Sequence, residues 1–120
     1  MSVKNKKVVL GFMQGFIEGN KDLSVKLLSE DITWNIVGMP VIRGKDNFMQ
    51  TMELMELWKS PGIANSSTSG MIRNIIAEKD FVVVESSVVS NNYSNCDIYR
   101  IINGKIGVMT SYIVDTSVNE

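Results

Sequence analysis

Four strand-like segments follow one another in the second half of the chain, and this pattern limits its possible folds more than any other feature. They cover residues 71–77, 81–90, 93–102 and 105–114 and are rich in β-branched side chains. Short polar turns separate them, and the Asn103-Gly104 dipeptide strongly favours a tight β-hairpin turn. The pattern therefore predicts an antiparallel meander of four strands.

The first half of the chain favours helices. Apolar residues at 9, 12, 13, 16 and 17 recur with helical spacing, and the intervening Gly11 and Gly15 predict close packing of another element. Asp22 predicts the cap of a second short helix, residues 32–37 a first strand, and residues 45–59 a third helix. Residues 60–70 favour a loop. Helices followed by antiparallel strands indicate a single α+β domain over residues 1–120.

The absence of histidine and the presence of a single cysteine, Cys96, exclude several kinds of site. Without histidine the chain cannot use Ser-His-Asp or Cys-His catalysis or ligate a metal through imidazole. One cysteine can form neither an internal disulfide nor a multi-cysteine metal site, and it suits a reducing compartment. We therefore expect no metal and no cofactor, and proton chemistry that falls to Asp, Glu, Lys, Tyr, Cys96 or a bound water.

Charge and hydropathy argue against two classes of partner. The net charge of -1 gives no surplus of Lys and Arg for nucleic acid. Nowhere are there about 18 consecutive apolar residues, so the sequence predicts no membrane-spanning helix. The apolar run over residues 8–13 ends at Gln14 without the small-residue site of a secretory signal. We expect a cytoplasmic protein.

Several short segments carry a family resemblance when their order is considered. They are residues 9–13 in the first helix, 27–34 around an acidic pair, 42–46 at a glycine turn, 97–106 across the last hairpin, and 112–115. Together they resemble the nuclear-transport-factor-two-like superfamily, with SnoaL-like proteins, limonene epoxide hydrolases and ketosteroid isomerases as the most similar branches. The resemblance implies a cone-shaped curved antiparallel sheet with the N-terminal helices on its concave face, a cystatin-like α+β barrel.

The resemblance also shows that most catalytic positions of these enzymes are changed. Positions that carry their ionisable groups hold other side chains in this chain: Phe12, Ile36, Ser86, Val88 and Ser111. The counterpart that survives is Asp97, at the position of the isomerases' oxyanion-hole aspartate. The resemblance therefore implies that any catalysis depends on Asp97.

Strand alternation, phased by the resemblance, places Asp97 on the inside of the cone among apolar and aromatic residues. Desolvation there would raise its pKa, and the alternative is a carboxylate bonded to Tyr99, Asn95 or a backbone group. The expected substrate-binding residues are Tyr99, Asn95, Trp34, Tyr93, Ser86, Ser111 and Phe12. The tyrosines and Trp34 could equally serve as core packing.

Two hypotheses for function follow. The chain binds a small apolar molecule, as a SnoaL-like protein or as a cofactor-free acid–base enzyme of isomerase, cyclase or hydrolase type that uses Asp97. Alternatively, it is a non-catalytic ligand-binding or dimerisation module that has lost the catalytic residues. The outer sheet face, with Phe81 and Val83, is apolar, and in the resembling superfamily a second subunit covers it. We therefore expect a homodimer through that face.

Overall fold

The structure, a computed structural model, describes residues 2–54, 70–88 and 93–115. Its helices are α1 (Ser2–Glu18), α2 (Lys21–Val25) and α3 (Lys45–Leu54). Its strands are β1 (Leu28–Ile36), β2 (Ile42–Arg43), β3 (Gly70–Glu78), β4 (Phe81–Val88), β5 (Tyr93–Ile102) and β6 (Lys105–Asp115). The predicted continuation of the third helix to residue 59 and the predicted loop up to residue 69 lie outside the described residues.

The six strands form one sheet in the order β2-β1-β6-β5-β4-β3. Strands β3 to β6 are the predicted antiparallel meander. Strand β1 pairs antiparallel with β2 and parallel with β6. A parallel pair needs a long connection, and α3 and strands β2 to β5 lie between β1 and β6 in the sequence. The short strand β2 was not predicted. Register shifts in three of the pairings bend the strands and curve the sheet, which does not close.

The helices pack on one face of the sheet, which we call the inner face, and the core lies between them. Helix α1 contacts β3, β4 and β6, and α3 contacts β1 and β2. Phe12 from α1 and Phe48 from α3 are fully buried against the sheet. No helix in the described part of the chain is long and apolar enough to cross a membrane. The predicted α+β arrangement is confirmed.

Helix α2 packs closely on α1, as the two glycines predicted. A Cβ atom on Gly15 would overlap Ser24 Oγ and lie 2.8 Å from the Ser24 backbone nitrogen. The buried Ser24 hydroxyl donates a hydrogen bond of 2.7 Å to the Phe12 carbonyl oxygen. A Cβ on Gly11 would lie 3.0 Å from Leu27 Cδ1. The absence of side chains at these positions therefore allows α2 to contact the α1 backbone.

The cap of α2 differs from the prediction. Asn20, not Asp22, is the N-cap residue, and its Oδ1 accepts a hydrogen bond of 3.2 Å from the Leu23 backbone nitrogen. Asp22 lies in the first turn, where a carboxylate interacts favourably with the helix dipole. Asn20 and Asp22 both carry a side-chain oxygen suited to capping, and the sequence pattern did not separate them.

Candidate functional site

The inner face brings the predicted site residues into adjacent cross-strand rows. Asp97 on β5 lies between Val84 on β4 and Ser111 on β6, and Ser111 lies beside Ile36 on β1. The neighbouring row consists of Val82, Tyr99, Met109 and Trp34. All of these side chains are buried, as the strand alternation predicted. Asp97 is therefore surrounded mainly by apolar groups.

Asp97 is the one buried charged side chain in the described ranges, with 7% of its surface exposed. Burial removes the carboxylate from water and raises its pKa from 3.8 to about 6. A hydrogen bond from the Ser111 side chain acts in the opposite direction, because it stabilises the charged form. The carboxyl group can therefore exchange a proton close to neutral pH.

The Trp34 indole extends the hydrogen bond between Ser111 and Asp97 into a chain of three groups. The Trp34 Nε1 atom lies 2.9 Å from Ser111 Oγ, and both side chains are buried. Because an indole nitrogen only donates, Ser111 Oγ accepts this bond and its own hydrogen is free for Asp97. The three groups form a chain of donors that ends at the carboxylate. The sequence suggested Trp34 and Ser111 separately but gave no sign of this link.

Aromatic rings from the helices pack against the same rows. Phe12 contacts Tyr99 edge to face, with ring centroids 6.0 Å apart, and Phe48 lies 4.7 Å from Trp34. Burial, with the nearby Asp97 charge, raises the pKa of Tyr99 well above 10.0, so its hydroxyl stays protonated at neutral pH. Phe12, Trp34 and Tyr99 thus build the apolar floor of the site. Phe48 on α3, which was not among the predicted substrate-binding residues, packs against this group as well.

Asn95 and Ser86 lie side by side on β5 and β4, one row beyond Asp97. Ser86 is buried and Asn95 half-buried, whereas Ile113, their neighbour on β6, is 42% exposed. This row therefore lies at the solvent-exposed rim of the inner face. The Tyr93 side chain, also predicted to bind substrate, lies outside the described residues.

Cys96 and Glu85 pair across β4 and β5 in the opposite strand phase. Burial raises the pKa of the Cys96 thiol, and the Asp97 and Glu85 charges add to this effect. A raised pKa keeps the thiol protonated and unreactive at neutral pH.

In the described ranges no three His, Cys, Asp or Glu side chains form a cluster that could hold a metal ion. Asp97 is therefore the residue best placed for proton chemistry.

Three solved structures have the same fold. An NTF2-like protein of unknown function from Cytophaga hutchinsonii ATCC 33406 is 19% identical, with a TM-score of 0.74 over 97% of this chain and 95% of its own. An LEH-like epoxide hydrolase from M. tuberculosis is 16% identical, with a TM-score of 0.73 over 98% and 89%. A de novo designed protein with a curved β-sheet is 19% identical, with a TM-score of 0.76 over 95% and 88%.

The sequence itself matches no protein-family profile, and no curated protein matches it. The structural similarities confirm the architecture that the resemblance implied. They do not identify an activity, since a catalyst, a protein of unknown function and a designed protein share the fold. Function must therefore be argued from the site.

Proposed function

We propose that this chain, which has the NTF2-like fold, binds a small, largely apolar molecule on its inner face and exchanges a proton with it through Asp97. The observation that carries the proposal is the environment of the Asp97 carboxyl group. It is 7% exposed, receives a hydrogen bond from the uncharged Ser111, and has a pKa of about 6. A carboxyl group with these properties suits general acid–base catalysis near neutral pH.

The surroundings of Asp97 support a carbonyl, enol or epoxide compound as the substrate. Its cross-strand neighbours Val84 and Ser111 are uncharged, and the adjacent row is apolar or aromatic. The Asp97 carboxylate can take a proton from the carbon next to a carbonyl group, and the electron pair of that C–H bond moves into the carbonyl to form an enolate. The protonated carboxyl can return the proton to carbon, or donate it to an epoxide oxygen as water attacks a ring carbon and the C–O bond breaks. Asp97 supplies the proton transfer in each case.

Hydrogen–deuterium exchange tests this proposal. In D2O, the native protein is expected to accelerate exchange of the protons beside the carbonyl of cyclohexanone, measured by proton NMR. Asp97→Asn is expected to lose about a hundredfold or more of that acceleration, the usual contribution of a general base. Glu85→Gln is the matched control, because Glu85 is an exposed carboxylate on the neighbouring strand. Equal exchange by the native protein and Asp97→Asn would contradict the role of Asp97.

A non-catalytic ligand-binding module is the second candidate. The observation in its favour is that Tyr99, the other ionisable group in these two rows, has a pKa raised well above 10.0, so no second group in these rows titrates near neutrality. The same samples separate the two candidates. A thermal shift with cyclohexanone but no accelerated exchange would favour the binding module, and the absence of both effects would contradict the inner-face site.

We also propose that the chain forms a homodimer through the outer face of the sheet. Helices α1 and α3 pack on the inner face, whereas large apolar side chains on the outer face are exposed: Ile76 at 63%, Val114 at 54%, Phe81 at 47% and Tyr112 at 46%. An apolar surface of this kind, spread over neighbouring strands, is typical of protein–protein contact. A second copy would cover the same strands on both subunits.

Light scattering after gel filtration checks the dimer. The native protein is expected at twice its chain mass of 13.4 kDa, and Tyr112→Glu at 13.4 kDa, because a carboxylate would be buried without a partner in the interface. Val3→Glu, at a residue 67% exposed on α1, which packs on the opposite face of the sheet, is the control and should leave the dimer intact. A native protein that runs at the mass of one chain would rule out this interface.

A further inference from the structure

The Asn95 side chain carries a polar atom that the protein itself does not satisfy. Its Oδ1 is excluded from solvent and has no hydrogen-bond partner, and no other buried side-chain nitrogen or oxygen in the described ranges is in this state. Neither cross-strand neighbour fills it: Ile113 has no donor, and the Ser86 hydroxyl makes no bond to it. Buried acceptors without a partner are rare, because each one lowers the free energy of unfolding.

Asn95 lies two residues before Asp97 on β5, so the two side chains project from the same face of the strand. Two residues along a strand correspond to roughly 6–7 Å between their Cα atoms. A molecule a few carbon atoms long can therefore contact both groups at once. Asn95 lies nearer the rim, where Ile113 is 42% exposed, and Asp97 lies deeper.

We infer that the ligand of the inner face is an apolar hydroxy-carbonyl compound whose hydroxyl group donates a hydrogen bond to Asn95 Oδ1 while the carbon next to its carbonyl lies against Asp97. This inference rests on the proposed function and names the substrate class for the same site. A hydroxyl group would give Asn95 Oδ1 its missing donor. A ketone or an ether in its place would leave that acceptor unsatisfied, so Asn95 determines specificity.

Matched ketones test the inference by calorimetric titration. The native protein is expected to bind 4-hydroxycyclohexanone about ten- to a hundredfold more tightly than 4-methoxycyclohexanone, which cannot donate, because a buried acceptor is satisfied only by the former. In Asn95→Leu the two affinities are expected to become equal. Equal affinities in the native protein would overturn the inference while leaving the proposed function standing. Absence of binding by both ketones and by cyclohexanone would overturn the site itself.

A second measurement needs no ligand. Asn95→Leu is expected to raise the Tm of the free protein by a few degrees, since it removes the unsatisfied acceptor. Asn74→Leu is the control, because the Asn74 amide on β3 donates a hydrogen bond of 2.6 Å to Glu85 and its loss should not stabilise the fold. A lower Tm for Asn95→Leu than for the native protein would mean that Asn95 Oδ1 is satisfied within the protein, which would overturn the inference.

Discussion

Between about pH 4 and pH 7 the native protein is expected to lose about 3 kcal/mol of its free energy of unfolding, and Asp97→Asn is expected to abolish this loss. The loss follows from the pKa of the buried carboxyl group, which rises from 3.8 to about 6 on folding. Between these two values the folded chain binds more protons at this position than the unfolded chain. Stability from this group is therefore complete below about pH 4 and is lost as the pH rises through about 6.

Urea denaturation of the native protein and Asp97→Asn from pH 3.5 to pH 8 measures this effect. The difference between the two curves isolates Asp97, since every other titratable group is common to both proteins. The amide has nearly the same size and stays neutral, so Asp97→Asn should gain stability relative to the native protein as the pH rises. Glu85→Gln, which removes an exposed carboxylate and keeps Asp97, is expected to retain the loss of stability between about pH 4 and pH 7. A difference that is flat with pH would show that Asp97 is not desolvated.

Gly15→Ala is expected to lower the free energy of unfolding by about 2–3 kcal/mol, although alanine favours a helix by about 1 kcal/mol. The new Cβ would overlap Ser24 Oγ and lie 2.8 Å from its backbone nitrogen, so α2 must move away from α1. That movement would break the buried hydrogen bond from Ser24 to the Phe12 carbonyl oxygen. Phe12 packs on Tyr99, so the displacement also reaches the floor of the site.

Thermal and urea denaturation of Gly15→Ala check this result, with Gly11→Ala as the control. At Gly11 the Cβ would meet only Leu27 Cδ1, the end of a side chain that can rotate, at 3.0 Å. We therefore expect Gly11→Ala to change stability by less than about 1 kcal/mol in either direction. If Gly15→Ala is as stable as Gly11→Ala, close contact between α1 and α2 is not what requires glycine.

The sequence predicted the parts of this fold that depend on periodicity. A period of two along β4, β5 and β6 placed Val84, Asp97 and Ser111 on one face, and the structure buries all three. Alternation gives the face but not the depth, so it could not separate the buried Asp97 from Ile113, which is 42% exposed at the rim. The strand β2 has only two residues, too few for any pattern to appear.

Sequence periodicity does not predict contacts between residues that are far apart in the chain. The hydrogen bond from Trp34 to Ser111 joins positions 77 residues apart, and it depends on the parallel pairing of β1 with β6. A meander of hairpins predicts which consecutive strands pair, but it does not say which strand lies beside the last one. That Asn95 Oδ1 lacks a hydrogen-bond partner could not be predicted either, because it depends on where the neighbouring donors lie in the folded chain.

The lack of histidine is consistent with the site that the structure contains. A carboxyl group with a pKa of about 6 titrates close to the range in which histidine usually acts. Burial, rather than the choice of residue type, gives Asp97 this property. The Trp34 and Ser111 donors then keep the carboxylate in a fixed position for a ligand.

The proposed function depends on Asp97 being a desolvated carboxyl group on the inner face, with a pKa close to neutrality. A pH titration of its side-chain carbonyl carbon by carbon-13 NMR, with Asp97→Asn used to assign the resonance, measures this pKa. The expected midpoint lies at about pH 6. A midpoint near the ordinary aspartate value of 3.8 would contradict it.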